Sequence, residues 1–278
     1  MSGKKTPPIK PRSVRRIAVD ILNRIDREGA YAEPLLDAVL CGSEITTPLD
    51  RGLLTELVYG SLRMRGRLDW IVGQLYRGDA SALETAVRNI LRTGLYQLLF
   101  ADRIPPFAAV NEAVRIARDL SPSASGLINA ILRNALRKKE AITWPDMAKA
   151  PEKAIAALHS HPHWLVRRLL AQFDTEETIA LCRANNTIPP LTIRVNTLRT
   201  SREQALAALA KEGIAAEPTL FSADGIILTS PAAGLRKTPP YTEGLIRIQD
   251  EASQLIGRIV APKPGERVLD LCAGSGGK

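Results

Sequence analysis

From Ser13 to about Lys139 nearly every segment spaces its apolar residues at helical intervals, a pattern that only a stack of amphipathic helices can bury at once. Val14, Ile17, Ala18, Ile21, Leu22 and Ile25 share one face, and Gly29 can end that helix because it enters the left-handed region without a Cβ clash. Leu35, Leu36, Val39 and Leu40 mark a short second helix. Thr47-Pro48 pairs a capping side chain with the residue best suited to the first helical position, and opens a third helix through Leu53, Leu54, Leu57 and Val58. Leu68, Ile71, Val72 and Leu75 continue the pattern, and Leu83, Val87, Ile90, Leu91, Leu95 and Leu98 predict a longer, central helix. Pro105-Pro106 and Ser121-Pro122 punctuate the last two, which end in Arg137-Lys138-Lys139. Short connections between such helices make an all-α bundle.

The pattern changes past the charged, proline-bearing stretch Lys138 to Pro151, where a domain boundary is expected. Helices are predicted around Trp164–Phe173 and Thr175–Ala184. TIRVN (Thr192–Asn196), GIILT, LIRIQ (Leu245–Gln249) and RVLDLC (Arg267–Cys272) read as strands. A capped helix, SREQALAALAKEG, and a second, DEASQLIGRIV, lie between them, so strands alternate with helices in an α/β region.

Charge narrows the class of partner. Through Glu140 there are 22 Lys and Arg against 15 Asp and Glu, so seven of the nine net positive charges sit in the helical half. A basic half suits a polyanion, because each neutralised phosphate releases counterions; a merely solvated basic surface is the alternative. With aromatic residues at 4%, base stacking is a weak option and backbone or shape recognition the expected mode. No apolar run approaches the roughly 18–20 residues that span a bilayer, and the basic start MSGKKTPPIKPRS lacks the apolar core of a secretory signal. Cys41, Cys182 and Cys272 are far apart, which gives neither a CxxC metal site nor a disulfide framework and fits the reducing cytoplasm. His159, His161 and His163 flank Pro162 with no nearby Cys or carboxylate pattern, so a polar turn is expected and no metal.

RVLDLCAGSGGK is the strongest chemical motif. An apolar strand running into Asp270 and then a glycine-rich loop brings bare backbone to the edge of a sheet, where open α/β folds bind nucleotides. A P-loop would need glycine in place of Cys272. Asp250 and Glu251 open the DEASQL helix and suit its N-terminal dipole.

Several blocks, in order, resemble the Sun/Fmu family of RNA 5-methylcytosine methyltransferases, in its bacterial small-subunit rRNA branch. They are SVRRIAVDIL, DRGLLTELVYGSLRMRGRLDWIV, NILRTGLYQLLFADRIPPFAAVNEAV, GLINAILRNALR, HPHWLVRRLL, PPLTIRVNTLRTS, LIRIQDEASQL and VLDLCAGSGGK. The resemblance implies a NusB-like helical RNA-binding domain over 1–140, a linker at 141–151 and a small α/β RNA-binding subdomain over 152–240. The first strand of an incomplete Rossmann-type methyltransferase domain would then fall within 241–278. It implies S-adenosyl-L-methionine as cofactor, contacted by Cys272, Ala273, Gly274, Ser275, Gly276, Gly277 and Lys278, with Gln249 and Asp250 shaping the pocket. The family reads Ala-Pro where this sequence has Gly274-Ser275.

The chemistry the resemblance implies uses a cysteine that adds to carbon 6 of cytosine so that carbon 5 can take a methyl group. The family's two cysteine motifs lie downstream of its glycine loop and are absent here, so the chain reads as truncated and inactive alone. Cys41 and Cys182 are expected in the core, Cys272 toward the cofactor, and none as nucleophile. For small-subunit rRNA the expected contacts are Arg12, Arg15, Arg16, Arg63, Arg65, Arg67, Arg133, Arg137, Lys138 and Lys139, in a cytoplasmic monomer. A stand-alone antitermination-type RNA-binding protein without enzymatic activity is the competing reading; it would end near Lys139 and leaves QDEASQL and DLCAGSGGK unexplained.

Overall fold

A computed structural model describes residues 12–230 and 234–273. Ten helices come first: α1 Val14–Glu28, α2 Ala32–Cys41, α3 Pro48–Arg63, α4 Arg65–Leu75, α5 Thr85–Phe100, α6 Pro106–Leu120, α7 Ser125–Arg137, α8 Pro151–His159, α9 His163–Leu170 and α10 Thr175–Asn185. The caps expected at Thr47 and Gly29 operate, and Ser13 caps α1. Ser13 Oγ accepts from Arg16 N, Thr47 Oγ1 accepts from Asp50 N, and Gly29 sits at φ 67° with its N–H donating to the Ile25 carbonyl.

Helix α5 is buried on nearly every side, as a central helix must be, and this includes polar residues. Each of these finds a partner inside the bundle. Asn89 Nδ2 donates to Asn23 Oδ1 at 3.0 Å, Thr93 Oγ1 donates to the Asn89 carbonyl, and Gln97 Nε2 donates to the Thr93 carbonyl. Arg92, 5% exposed, is held by Asp26 at 2.8 Å and by both oxygens of Asp69 at 2.7 Å. Around this helix pack Ile17, Leu54, Leu57, Leu68, Ile128 and Leu132, all at 2% exposure or less.

Packing continues across the stretch Lys138–Pro151. Helices α8–α10 form a small core of their own from Ile155, Ala156, Val166 and Cys182, and α8 packs on α4. The Gly66 N–H donates to Ser160 Oγ at 2.8 Å across that contact. The division falls between Thr187 and Ile188. A proline-rich, charged stretch breaks periodicity without separating the helices on either side of it.

The second unit holds β1 Thr192–Val195, α11 Arg202–Lys211, β2 Ala216–Pro218, β3 Gly225–Leu228, α12 Pro239–Thr242, β4 Ile246–Ile248 and α13 Glu251–Val260. Its sheet has the order β2-β3-β1-β4 with every neighbouring pair antiparallel. Ile193 lies opposite Ile226 on one side and Ile248 on the other. Ile193, Val195, Ala205, Leu209, Ile226 and Ile246 make the core beneath the helices. Ser201 and Gln204 close a capping box at the start of α11.

RVLDLC departs from expectation. Residues 267–270 form no strand among the described residues, and Val268, Leu269 and Leu271 are 59%, 80% and 86% exposed. A strand exists only by sharing its backbone hydrogen bonds with a neighbour, and no described strand lies alongside this one. The strand of an incomplete Rossmann domain is thus not formed here; the described sheet is the small antiparallel one.

Candidate nucleic-acid interface

The expected cations separate by what holds them. Arg12 grips both oxygens of Glu44, at 2.9 and 2.8 Å, and reaches Asp20 at 3.1 Å; its guanidinium is pushed further up by those carboxylates. Arg16 pairs with Asp20 at 3.0 Å and Asp119 at 3.6 Å. Arg15 is half-buried and donates to Gln97 Oε1 at 2.5 Å. Arg65 pairs with Asp26 at 3.0 Å.

Arg67 lies 5.3 Å from the centroids of both Phe100 and Trp144, and burial lowers its pKa. A guanidinium over two aromatic faces is a packing element in this bundle. Arg63 is half-buried on α3, close enough to Tyr96 for its charge to be felt there.

Arg133 and Arg137 differ: both are exposed on α7 and, among the described residues, bound only by neutral amides, Asn129 Oδ1 at 2.9 Å and Asn134 Oδ1 at 2.6 Å. Lys138 is exposed beside them, while the side chain of Lys139 lies outside the described residues. Arg118, absent from the expected set, is exposed on α6 and pairs with no carboxylate among the described residues. A sequence signal existed for this end of the bundle, since no acidic residue lies between Asp119 and Glu140.

The histidines form the polar turn expected of them. Ser160 takes φ 58° after α8, the His161 ring Nδ1 contacts the His159 carbonyl at 2.6 Å, and His163 approaches Glu152 at 3.4 Å. Burial first, then the charges of Arg183, His161 and Arg67, lower the pKa of His159. Cys182 is buried, and burial raises its thiol pKa. Cys41 is exposed, contrary to the core placement expected, because α2 is a peripheral helix with Leu36 as its one buried residue among those described.

Of the glycine loop, Gly274, Ser275, Gly276, Gly277 and Lys278 lie outside the described residues. Cys272 and Ala273 are exposed, and the Cys272 N–H donates to Asp270 Oδ1 at 2.9 Å. With Leu269 and Leu271 also open to solvent, these residues do not by themselves build a pocket for S-adenosylmethionine. Gln249 is partnered, Asp250 caps α13 through Ala252 N at 2.9 Å, and Glu251 Oε1 accepts from Phe221 N and Ser222 N at 2.6 and 2.8 Å. Those hydrogen bonds, Ser222 first, hold the Glu251 carboxyl below its usual range.

Residues 12–137 match the NusB family, and residues 161–233 match the ferredoxin-like domain of RsmF/B-like methyltransferases. Over most of its length the chain is similar to members of the Sun/Fmu family. Within that family it is 41% identical over 230 residues to ribosomal RNA small subunit methyltransferase B of Pseudomonas putida, covering 82% of this chain and 51% of the relative. The probable ribosomal RNA small subunit methyltransferase B of Bacillus subtilis is 35% identical over 97% of this chain and 59% of its own length. The chain thus spans between half and three-fifths of these curated relatives. The crystal structure of PH0851 shares the fold over 94% of this chain and 58% of its own, with TM-score 0.66 and 20% identity. The ferredoxin-like match covers β1, β2 and β3 of the antiparallel sheet, and β2 has no apolar alternation to announce it. No helix among the described residues is long and apolar enough to cross a membrane.

Proposed function

We propose that this chain carries the RNA-recognising front of an rRNA methyltransferase that modifies carbon 5 of a cytosine in the small subunit, working as a monomer in the cytoplasm. The observation that carries the reading is the pairing, in one chain and in order, of a NusB-family bundle with an RsmF/B-type ferredoxin-like domain. A stand-alone RNA-binding factor would account for the first and leave the second without a purpose.

In this reading residues 1–140 hold rRNA through phosphates, residues 152–240 extend the contact, and residues 241–278 begin the methyltransferase domain. S-adenosylmethionine supplies the methyl group when bound at the loop from Cys272 to Lys278. None of the three cysteines acts as nucleophile: Cys182 is buried with a raised pKa, Cys41 ends a peripheral helix, and Cys272 belongs to the loop. Incubated with labelled cofactor and small-subunit rRNA, the chain alone transfers no methyl group; incorporation abolished by Cys41→Ser would reassign the catalytic residue.

The deciding experiment is genetic and chemical. Small-subunit rRNA from cells with and without the gene is digested and its 5-methylcytosine quantified by mass spectrometry. Loss of one modified cytosine, restored by the intact gene, is the expected result. Identical modification in both strains would remove the enzymatic reading and leave the RNA-binding one.

A further inference from the structure

A polar groove of about 380 Å³ runs between α6 and α7, with Asn111 and Arg118 on one wall and Gly126, Asn129 and Arg133 on the other. We propose that this groove seats the sugar-phosphate backbone of RNA; the inference rests on the RNA-binding reading above and names its contact surface.

The placement follows from helix geometry. Gly126, Asn129, Arg133 and Arg137 recur at intervals of three and four along α7, so they form one stripe of about 16 Å. Helix α7 contains no acidic residue. The two acids of α6 are already neutralised, Glu112 by Arg115 at 2.9 Å and Asp119 by Arg16 at 3.6 Å. The groove therefore keeps an uncompensated positive charge, unlike the pairs at Arg12, Arg16 and Arg65.

Its donors are also the right kind. Arg133 spends only Nε on Asn129 Oδ1, which leaves its two Nη groups and the Asn129 amide nitrogen without a partner among the described residues. Guanidinium forks bind phosphate oxygens two at a time, and carboxamides can both give to and accept from a ribose 2′-hydroxyl. No aromatic ring lines the groove, so bases are not stacked there. Such a site follows the backbone with little regard to sequence.

The test uses the full chain and fluorescence anisotropy with a small-subunit rRNA fragment at several salt concentrations. Arg118→Ala with Arg133→Ala should weaken binding about tenfold or more at low salt and reduce the slope of log K against log salt by about 1.4–1.8, two phosphates' worth. Arg133→Lys should recover part of the loss.

Gly126→Glu keeps the fold in the comparison. A Cβ at Gly126 meets nothing within 4 Å, and an acid in the first turn of a helix favours it, so this variant stays folded while its charge repels phosphate. It too should bind RNA at least tenfold more weakly. Arg24→Ala, an exposed cation already paired with Glu28, should bind as the unaltered chain does. Unchanged affinity in the folded double variant and in Gly126→Glu overturns the assignment and gives the groove to an acidic protein surface instead. An unaltered chain that fails to bind rRNA at all would sink the broader reading together with this one.

Discussion

Two glycines of α3 are expected to answer the same substitution with opposite signs. Gly52 is exposed, and a Cβ there meets nothing within 4 Å. Gly52→Ala should therefore stabilise the bundle by about 0.5–1 kcal/mol, the helix-propensity difference. Gly60 is buried against the ring of Tyr96, and a Cβ there would occupy the space of that ring. Tyr96 is 5% exposed, hydrogen-bonded through its hydroxyl to Glu56, and stacked on Phe100 with centroids 5.5 Å apart. Displacing it costs about 1–3 kcal/mol of overpacking. Losing a hydrogen bond to a charged group adds about 1.5–3 kcal/mol. After the helix-propensity gain, Gly60→Ala should destabilise by about 1.5–5.5 kcal/mol. All three tryptophans, at positions 70, 144 and 164, lie in the helical unit, so their fluorescence during urea unfolding reports on it. Tyr96→Leu in the Gly60→Ala background should recover part of the loss, giving a favourable coupling in the double-mutant cycle. A Gly60→Ala protein as stable as the original, or the same sign at both glycines, would refute the packing argument.

Three further outcomes can be checked separately. Arg92→Leu, which removes the buried guanidinium from Asp26 and leaves it Arg65 and the Asn89 amide, should cost about 3–5 kcal/mol in the same unfolding assay; Asp69→Asn, at a carboxylate 42% exposed, should cost less. Because the Glu251 carboxyl is held below its usual range, its contribution to stability is complete above the ordinary glutamate pKa and fades as pH falls through the lowered one. Thermal melts of Glu251→Gln should thus lose less stability than the original on acidification, and parallel curves would count against the link. RNA binding by the full chain should weaken about tenfold or more between 50 and 200 mM salt if a few phosphates are contacted; a flat salt response would exclude a phosphate-dominated interface.

The division among the arginines shows how far a sequence can be read. Arg15, Arg16 and Arg137 look alike as cations on helices of a basic half. Only folding reveals that Asp119, far along the chain, has met Arg16, that Gln97 has met Arg15, and that Arg137 has met the Asn134 amide. Cys41 and Cys182 likewise both sit on apolar helices, yet the first helix is peripheral and the second closes a small core.

What the sequence determined by itself was local. The helices from α1 to α7, their caps at Ser13, Thr47 and Gly29, and the capped helix after Ser201 all follow from interactions within a few residues. Long-range matters were settled by tertiary structure. They include the union of α8–α10 with the helical unit, the antiparallel order β2-β3-β1-β4, the unpaired state of residues 267–270, and the groove between α6 and α7. The physical reason is that a helix completes its hydrogen bonds within its own segment. A strand, an ion pair or a groove is complete only when a distant part of the chain arrives.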